Sequence, residues 1–179
     1  AELISPTADG IYYSDELIAF QGRVSDTEDS VDALTISFET DADGDLGLEL
    51  NVTSEGEVEA FGQLPEGEHA VRIKVVDSTG KDDMDSAVIT VGPPNSAPTC
   101  AITSPEDSST GPEGEEVRFE GTVDDVDVSP DWLSVEWESD KDGSMGSSSP
   151  DSDGTVGIAI STLSAQTHRI TLMATDEVG

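Results

Sequence analysis

Residues 1–80 align on residues 100–179 at a constant offset of 99, without a gap. Ser5-Pro6 matches Ser104-Pro105, Gly22 matches Gly121, Val24 matches Val123 and Asp26 matches Asp125. Asp32, Leu34 and Glu39 recur as Asp131, Leu133 and Glu138. Asp41-x-Asp43-Gly44 returns as Asp140-x-Asp142-Gly143, and Gly47 as Gly146. Leu64, His69, Asp77 and Gly80 return as Leu163, His168, Asp176 and Gly179. A register this long means duplicated domains, and the period is too long for a solenoid repeat. The chain of 179 residues therefore divides into copies at 1–93 and 99–179, joined by a proline-rich linker at 94–98. Proline removes backbone donors and favours extended conformations, which makes such a joint short and stiff.

Within each copy the apolar residues alternate with period two, the signature of half-buried strands. In copy one the strands A to G are expected near Glu2–Ser5, Leu17–Val24, Ala33–Glu39, Leu46–Val52, Val58–Phe61, His69–Val76 and Ser86–Val91. In copy two they are expected at Cys100–Thr103, Glu116–Val123, Leu133–Glu138, Thr155–Ile160 and His168–Thr175. No long stretch with a 3.6-residue period competes. Short strands separated by Gly, Asp, Ser and Pro turns describe an all-β chain of two immunoglobulin-like β-sandwiches. Copy two reaches Gly179 where its strand G is due, so it lacks its own last strand. Such a sheet exposes an edge that the continuing chain or another subunit can fill by strand addition.

Forty Asp and Glu against seven Lys and Arg give a formal net charge of −33, spread over both copies. That surface repels nucleic acid and anionic membranes. It also repels itself, which costs stability unless counter-ions bind. Two explanations stand side by side: divalent-cation sites with carboxylates gathered in loops, and a halophilic solvation shell with carboxylates scattered over strands. Only 4% of residues are aromatic, too few for a long carbohydrate-binding platform. No apolar run is long enough to span a membrane. The single cysteine, Cys100, is expected to be either a buried, inert thiol or a partner for a cysteine in the absent strand. Asn51-Val52-Thr53 is a glycosylation sequon.

Thr99-Cys100-Ala101-Ile102-Thr103-Ser104-Pro105, Phe119-Glu120-Gly121-Thr122-Val123-Asp124-Asp125, Trp137-Glu138-Ser139-Asp140-Lys141-Asp142-Gly143 and Thr171-Leu172-Met173-Ala174-Thr175-Asp176 resemble the PKD and cadherin-like repeats of prokaryotic surface proteins. The first copy departs by carrying Phe38 where the second has Trp137. The resemblance covers nearly the whole chain. It implies an extracellular or cell-surface stalk, spacer or adhesive module and no enzyme. It also implies calcium at domain junctions, while the open edge of copy two points to neighbouring copies of the same chain joined head to tail.

Calcium takes six to eight oxygen ligands. Three loops per copy offer them. The B–C loop carries Asp26, Glu28, Asp29 and Asp32, matched by Asp125, Asp127 and Asp131. The F–G turn carries Asp77, matched by Asp176, and the hairpin after strand C carries Asp41 and Asp43, matched by Asp140 and Asp142. Sandwich topology sends the B–C and F–G acids to one pole and the hairpin to the other. Asp41 and Asp43 are thereby expected to face Asp125, Asp127 and Asp176 across the linker. Each motif also has a metal-free explanation. Asp-Gly is a good hairpin turn, and Asp77 and Asp176 can cap their own turns. His69 and His168 recur at one repeat position, which suits a structural bond to a loop carbonyl. Phe20, Phe38, Phe61, Phe119, Trp132 and Trp137 are expected to pack in the core or at a pole, with Trp132 the one candidate for an exposed contact. A Ser-His-Asp set is compatible with the composition, but no motif organises one.

Overall fold

The computed structural model describes residues 1–179, and they fall into two compact units, Ala1–Asn95 and Ser96–Gly179. In unit one, β1 (Glu2–Ser5), β3 (Ile18–Arg23), β7 (Glu57–Gly62) and β6 (Asn51–Val52) form one sheet in the order β1-β3-β7-β6. The facing sheet has the order β2-β9-β8-β4-β5, from β2 (Tyr12–Tyr13), β9 (Asp82–Gly92), β8 (Gly67–Val76), β4 (Thr35–Thr40) and β5 (Gly44–Asp45). Every pairing is antiparallel except β2 on β9. Unit two repeats the plan with fewer strands. β10 (Thr99–Ser104), β11 (Val117–Asp124) and β14 (Thr155–Ile160) form one sheet. The other has the order β13-β12-β15, from β13 (Gly143–Ser148), β12 (Ser134–Ser139) and β15 (Ile170–Thr175).

The expected strand around Leu46–Val52 is not one strand. β5 belongs to the sheet of β4 and β6 to the sheet of β7, so the intervening residues cross from one sheet to the other. Leu46, Leu48 and Leu50 still pack against the core, which is why their alternation looked like a continuous strand. Strand C is preceded in both copies by a 3-10 turn, Val31–Ala33 and Pro130–Trp132, where copy one was expected to be extended from Ala33.

Alternation fills both cores. Phe20 and Phe38 meet at 5.5 Å between ring centroids, and their repeat equivalents Phe119 and Trp137 meet at 6.1 Å. The extra ring of Trp137 brings a polar handle, and its indole N–H donates to Ser148 Oγ at 2.9 Å. A buried indole needs such an acceptor. Gly22 and Gly121 recur because a Cβ at either would press on a core side chain and a neighbouring carbonyl. Those atoms are Ile73 Cδ1 at 2.5 Å and Glu2 O at 2.8 Å in one copy, Leu172 Cδ2 at 2.7 Å and Ala101 O at 2.8 Å in the other.

The ungapped repeat fails in one element. Gly22 pairs with Val58, but Gly121 pairs with Val156, so the offset over β7 and β14 is 98. A one-residue slip inside a strand would turn every side chain to the wrong face. The deletion therefore sits before the turn glycine, Gly56 in one copy and Gly154 in the other, and is made up again before Leu163. Both glycines have positive φ, +83° and +76°, and accept from the last core valine of strand B, Val24 or Val123, at 2.8 and 2.9 Å.

Phe61 departs from the expected packing, and Trp132, the candidate for an exposed contact, is exposed. Phe61 lies on the outward face of β7 and is 54% exposed; Trp132 ends its 3-10 turn 62% exposed. Val58 and Ala60 take the inward positions of β7, which leaves Phe61 the solvent side.

Candidate functional site: the acidic poles

The B–C and F–G acids of unit one come together. Asp26 Oδ1 accepts from the backbone N–H groups of Glu28 and Asp29 at 2.7 and 2.8 Å. Asp77 Oδ1 accepts from Thr79 and Lys81 N–H, both at 2.8 Å. Asp29 bridges the two loops, taking Ser78 N–H at 2.9 Å and Ser78 Oγ–H at 3.1 Å. Asp26, Glu28, Asp77, Lys81, Asp82 and Asp83 line a cleft of about 240 Å³. The amide of Asp29, then that of Glu28, holds the Asp26 carboxyl below its ordinary value, against desolvation and the neighbouring charge of Asp77. Asp77 is lowered by the Lys81 amide first and by Thr79 after it. Amides aimed at a carboxylate favour its charged form. Asp32 lies in the first turn of the Val31–Ala33 3-10 helix.

Unit two repeats the turn and changes the bridge. Asp125 Oδ1 accepts from Asp127 and Val128 N–H at 2.7 and 3.1 Å. Asp127 Oδ2 accepts from Ser96 N–H at 2.7 Å, tying the B–C loop to the start of its own unit. Asp131 accepts from Ser129 Oγ–H. Asp176 Oδ1 accepts from Val178 and Gly179 N–H, both at 2.9 Å. Asp125 Oδ2 is buried and meets no donor.

The hairpin acids serve the other pole of each unit. Asp41 Oδ1 accepts from Ala70 N–H at 3.1 Å, and Asp140 Oδ1 from Arg169 N–H at 2.8 Å, the same bond in both copies. The Asp43 amide donates to Thr40 Oγ1 at 3.1 Å. Asp142 takes Ser164 N–H and Oγ–H, both at 2.9 Å, and those two bonds hold its carboxyl below the ordinary range. Asp140 is lowered chiefly by Lys141, whose ammonium lies 2.9 Å away, and then by the Arg169 amide.

This pole contains a constellation that sequence reasoning did not organise. His168 Nδ1 meets Ser139 Oγ at 2.9 Å and lies 3.7 Å from Asp142 Oδ2. His168 Nε2 meets Ser164 O at 2.7 Å. A carbonyl can only accept, so Nε2 carries a proton, and in the neutral ring Nδ1 then accepts from the Ser139 hydroxyl. Ser139 Oγ in turn accepts from Lys141 and Asp142 N–H at 3.2 and 3.3 Å. The hydroxyl is 1% exposed and the imidazole is committed at both nitrogens, so the three residues act as a lock on the hairpin. His69 makes the matching bond to Pro65 O at 2.8 Å, the loop-carbonyl contact expected of it, but its buried Nδ1 meets no hydroxyl. The recurrence of a hydroxyl, Thr40 or Ser139, three residues before Asp43 or Asp142 signals the bond that each accepts from the hairpin amide, and the histidine joins it in copy two.

The candidate metal residues thus lie at the poles, mostly as acceptors for nearby backbone amides. Nowhere does the fold gather three or more His, Cys, Asp or Glu side chains into a group that could hold a metal ion. Asp26 with Asp77, and Asp125 with its unpartnered oxygen, are the partial exceptions.

The fold and these sites define a class: tandem immunoglobulin-like or fibronectin III-like β-sandwich domains. No family model and no curated protein matches the chain. Solved structures do. The fibronectin(III)-like modules of Clostridium thermocellum CbhA match over 98% of this chain and 85% of theirs, with a TM-score of 0.65 and 17% identity. A chimeric titin Z1Z2 matches over 99% of this chain and 90% of its own, with a TM-score of 0.50 and 15% identity. At that identity the likeness is one of fold. No helix is long and apolar enough to cross a membrane.

Proposed function

We propose that the chain is a structural repeat of an extracellular stalk or head-to-tail filament of the PKD or cadherin-like kind, stiffened by calcium at its acidic poles. The observation that carries this is the duplication of the polar locks. In both copies carboxylates tie the B–C turn and the hairpin to backbone amides, so the polar groups are used to hold loops in place. Rigid loops at the ends of a sandwich are what a spacer needs. Calcium enters through Asp125 Oδ2, buried without a donor, and through the mutual repulsion of Asp26 and Asp77. With so few carboxylates at one point, backbone carbonyls and water must supply most of the six to eight oxygens. Particle size in solution, and electron microscopy, with millimolar calcium and then with a chelator test the proposal. Assemblies that shorten on chelation support it; discrete monomers in both conditions overturn the filament.

A second reading, an adhesive or glycan-binding module, is favoured by Trp132 at 62% and Val126 at 82% exposure on the same loop of unit two. Exposed aromatics of this kind serve as binding anchors. Glycan binding that survives chelation and is lost in Trp132→Ala favours it over the spacer.

A further inference from the structure

The run from Asn51 to Glu55 is exposed throughout, and Asn51-Val52-Thr53 is the chain's one acceptor pattern for an N-linked sugar. Its place in the repeat sets it apart from a chance match. Thr53 opens the turn into β7: its N–H donates to Glu57 O at 2.9 Å, and its carbonyl accepts from Gly56 N–H at 3.0 Å. Asp151 makes the same two bonds in unit two, to Thr155 O at 3.2 Å and from Gly154 N–H at 2.9 Å. The side chains differ. Asp151 Oδ1 accepts two turn amides, from Asp153 at 3.0 Å and Thr155 at 2.9 Å, whereas Thr53 Oγ1 accepts one, from Glu57 at 3.1 Å. Threonine is the weaker lock for this turn, so turn chemistry does not account for its presence. Carried back two residues in that register, Asn51 and Val52 stand where unit two has Ser149 and Pro150, and proline in the middle position would bar the pattern. Unit one thus differs from unit two at every position of the motif, each time toward the acceptor.

β6 is an edge strand of two residues, and Asn51 lies opposite Glu59 on the outward face of its sheet. Phe61 follows Glu59 by two residues on the same face, diagonal to Asn51, and pairs on its other side with Ala19. Diagonal neighbours in a sheet lie about 7–8 Å apart, within reach of an aromatic ring. Phe61 is exposed, as is Leu17, two residues before Ala19. They leave an apolar spot beside Asn51 on a face that otherwise carries Gln21, Arg23, Glu57 and Glu59.

We propose that Asn51 carries an N-linked glycan whose first sugar lies on Phe61. The inference rests on the extracellular reading of the chain, because this modification belongs to secreted and surface proteins. The donor is a sugar held at C1 by a lipid phosphate. The Asn51 amide nitrogen attacks that carbon, and the N–C1 bond forms as the C1–O bond breaks. The lipid phosphate leaves with the bonding pair, and the amide proton passes to a base of the transferase. The apolar C–H face of the attached ring then covers Phe61. An edge strand is a template for pairing with another chain. A bulky, solvated group beside β6 blocks that pairing.

The test uses the whole chain as its native host produces it. Glutamyl endopeptidase cuts after Glu49 and Glu55 and releases Leu50–Glu55, which holds the acceptor. Mass spectrometry of that peptide is expected to show a sugar increment on Asn51, lost in Asn51→Gln and kept in Thr53→Ser. Thr53→Asp installs the turn residue of unit two, so it should fold as well as the parent and still lose the increment. The seat on Phe61 is read by melting the parent, Asn51→Gln, Phe61→Ala and the double variant. The drop in Tm caused by Asn51→Gln should shrink by about half or more when Phe61 is already alanine. Equal drops overturn the seat. An unmodified Leu50–Glu55 peptide, from protein that an added protease reaches on intact cells, overturns the glycan and leaves the extracellular reading standing. Protein shielded inside the cell overturns that reading and this inference with it.

Discussion

His168 shows what one side chain contributes here. Its imidazole donates to Ser164 O and accepts from Ser139, both inside the hairpin pole. Replacing it by alanine leaves a buried hydroxyl and a carbonyl short of a partner, at a cost of about 1–3 kcal/mol. Urea unfolding of His168→Ala should show that loss, and His168→Gln, which keeps one donor and one acceptor, should recover part of it. The neighbouring carboxylates set the acid limit. Asp26, Asp77, Asp140 and Asp142 are all held below the ordinary value of 3.8. A depressed folded-state pKa contributes stability that is present above the unfolded pKa and is lost as pH falls through the folded one. Stability should therefore decline only below about pH 4, and Asp142→Asn should make that decline shallower. A pH titration of thermal melting with both proteins checks the sign. At this scale the repeat made the histidines and the aspartate turns legible. It hid the Asp29–Ser78 bridge and its replacement by Asp127–Ser96, because those bonds depend on where loops meet. It also hid the outward turn of Phe61, since an alternating strand gives an aromatic no preferred face until its partners are fixed.

At the scale of elements, the strands followed from period-two alternation and the sheets from the order of the turns. What alternation could not show was a segment that changes sheets, as Leu46–Leu50 does, or the compensated one-residue slip before β14. Alternation reports which side faces the core, and both features preserve that. The turn glycines make the slip testable. Gly143 and Gly154 have nearly the same positive φ, +75° and +76°, but a Cβ at Gly143 meets nothing within 4 Å while one at Gly154 meets Val123 O at 2.0 Å. Gly143→Ala should therefore cost about 1 kcal/mol of backbone strain. Gly154→Ala adds a clash with backbone that cannot step aside, and should cost at least about twice as much. Equal unfolding midpoints for the two variants would mean that the turn before β14 is not held against β11 as described.

For the whole molecule, the question is what balances a net charge of −33. Unit one buries twelve apolar residues in its core and unit two seven, so unit two has less to set against its own repulsion. Two melting transitions are expected, with unit two the lower. Monovalent salt and calcium act on it differently. Salt screens exposed carboxylates over a distance of about 8–10 Å whatever the cation, and many acids here lie on exposed strand positions such as Glu57, Glu120 and Glu138. Calcium that binds only the folded form stabilises by mass action, by about 2.7 kcal/mol at a hundred times its Kd. Melting in millimolar calcium chloride should then raise the lower transition more than sodium chloride of equal ionic strength does. Asp125→Asn should abolish that excess while leaving the response to sodium intact, because Asp125 holds the one buried carboxylate oxygen without a donor. If the two salts act alike at matched ionic strength, and Asp125→Asn changes neither curve, the acidity is a solvation shell. The poles would then be rigid through their amide–carboxylate bonds alone, and calcium would have no part in stiffening them.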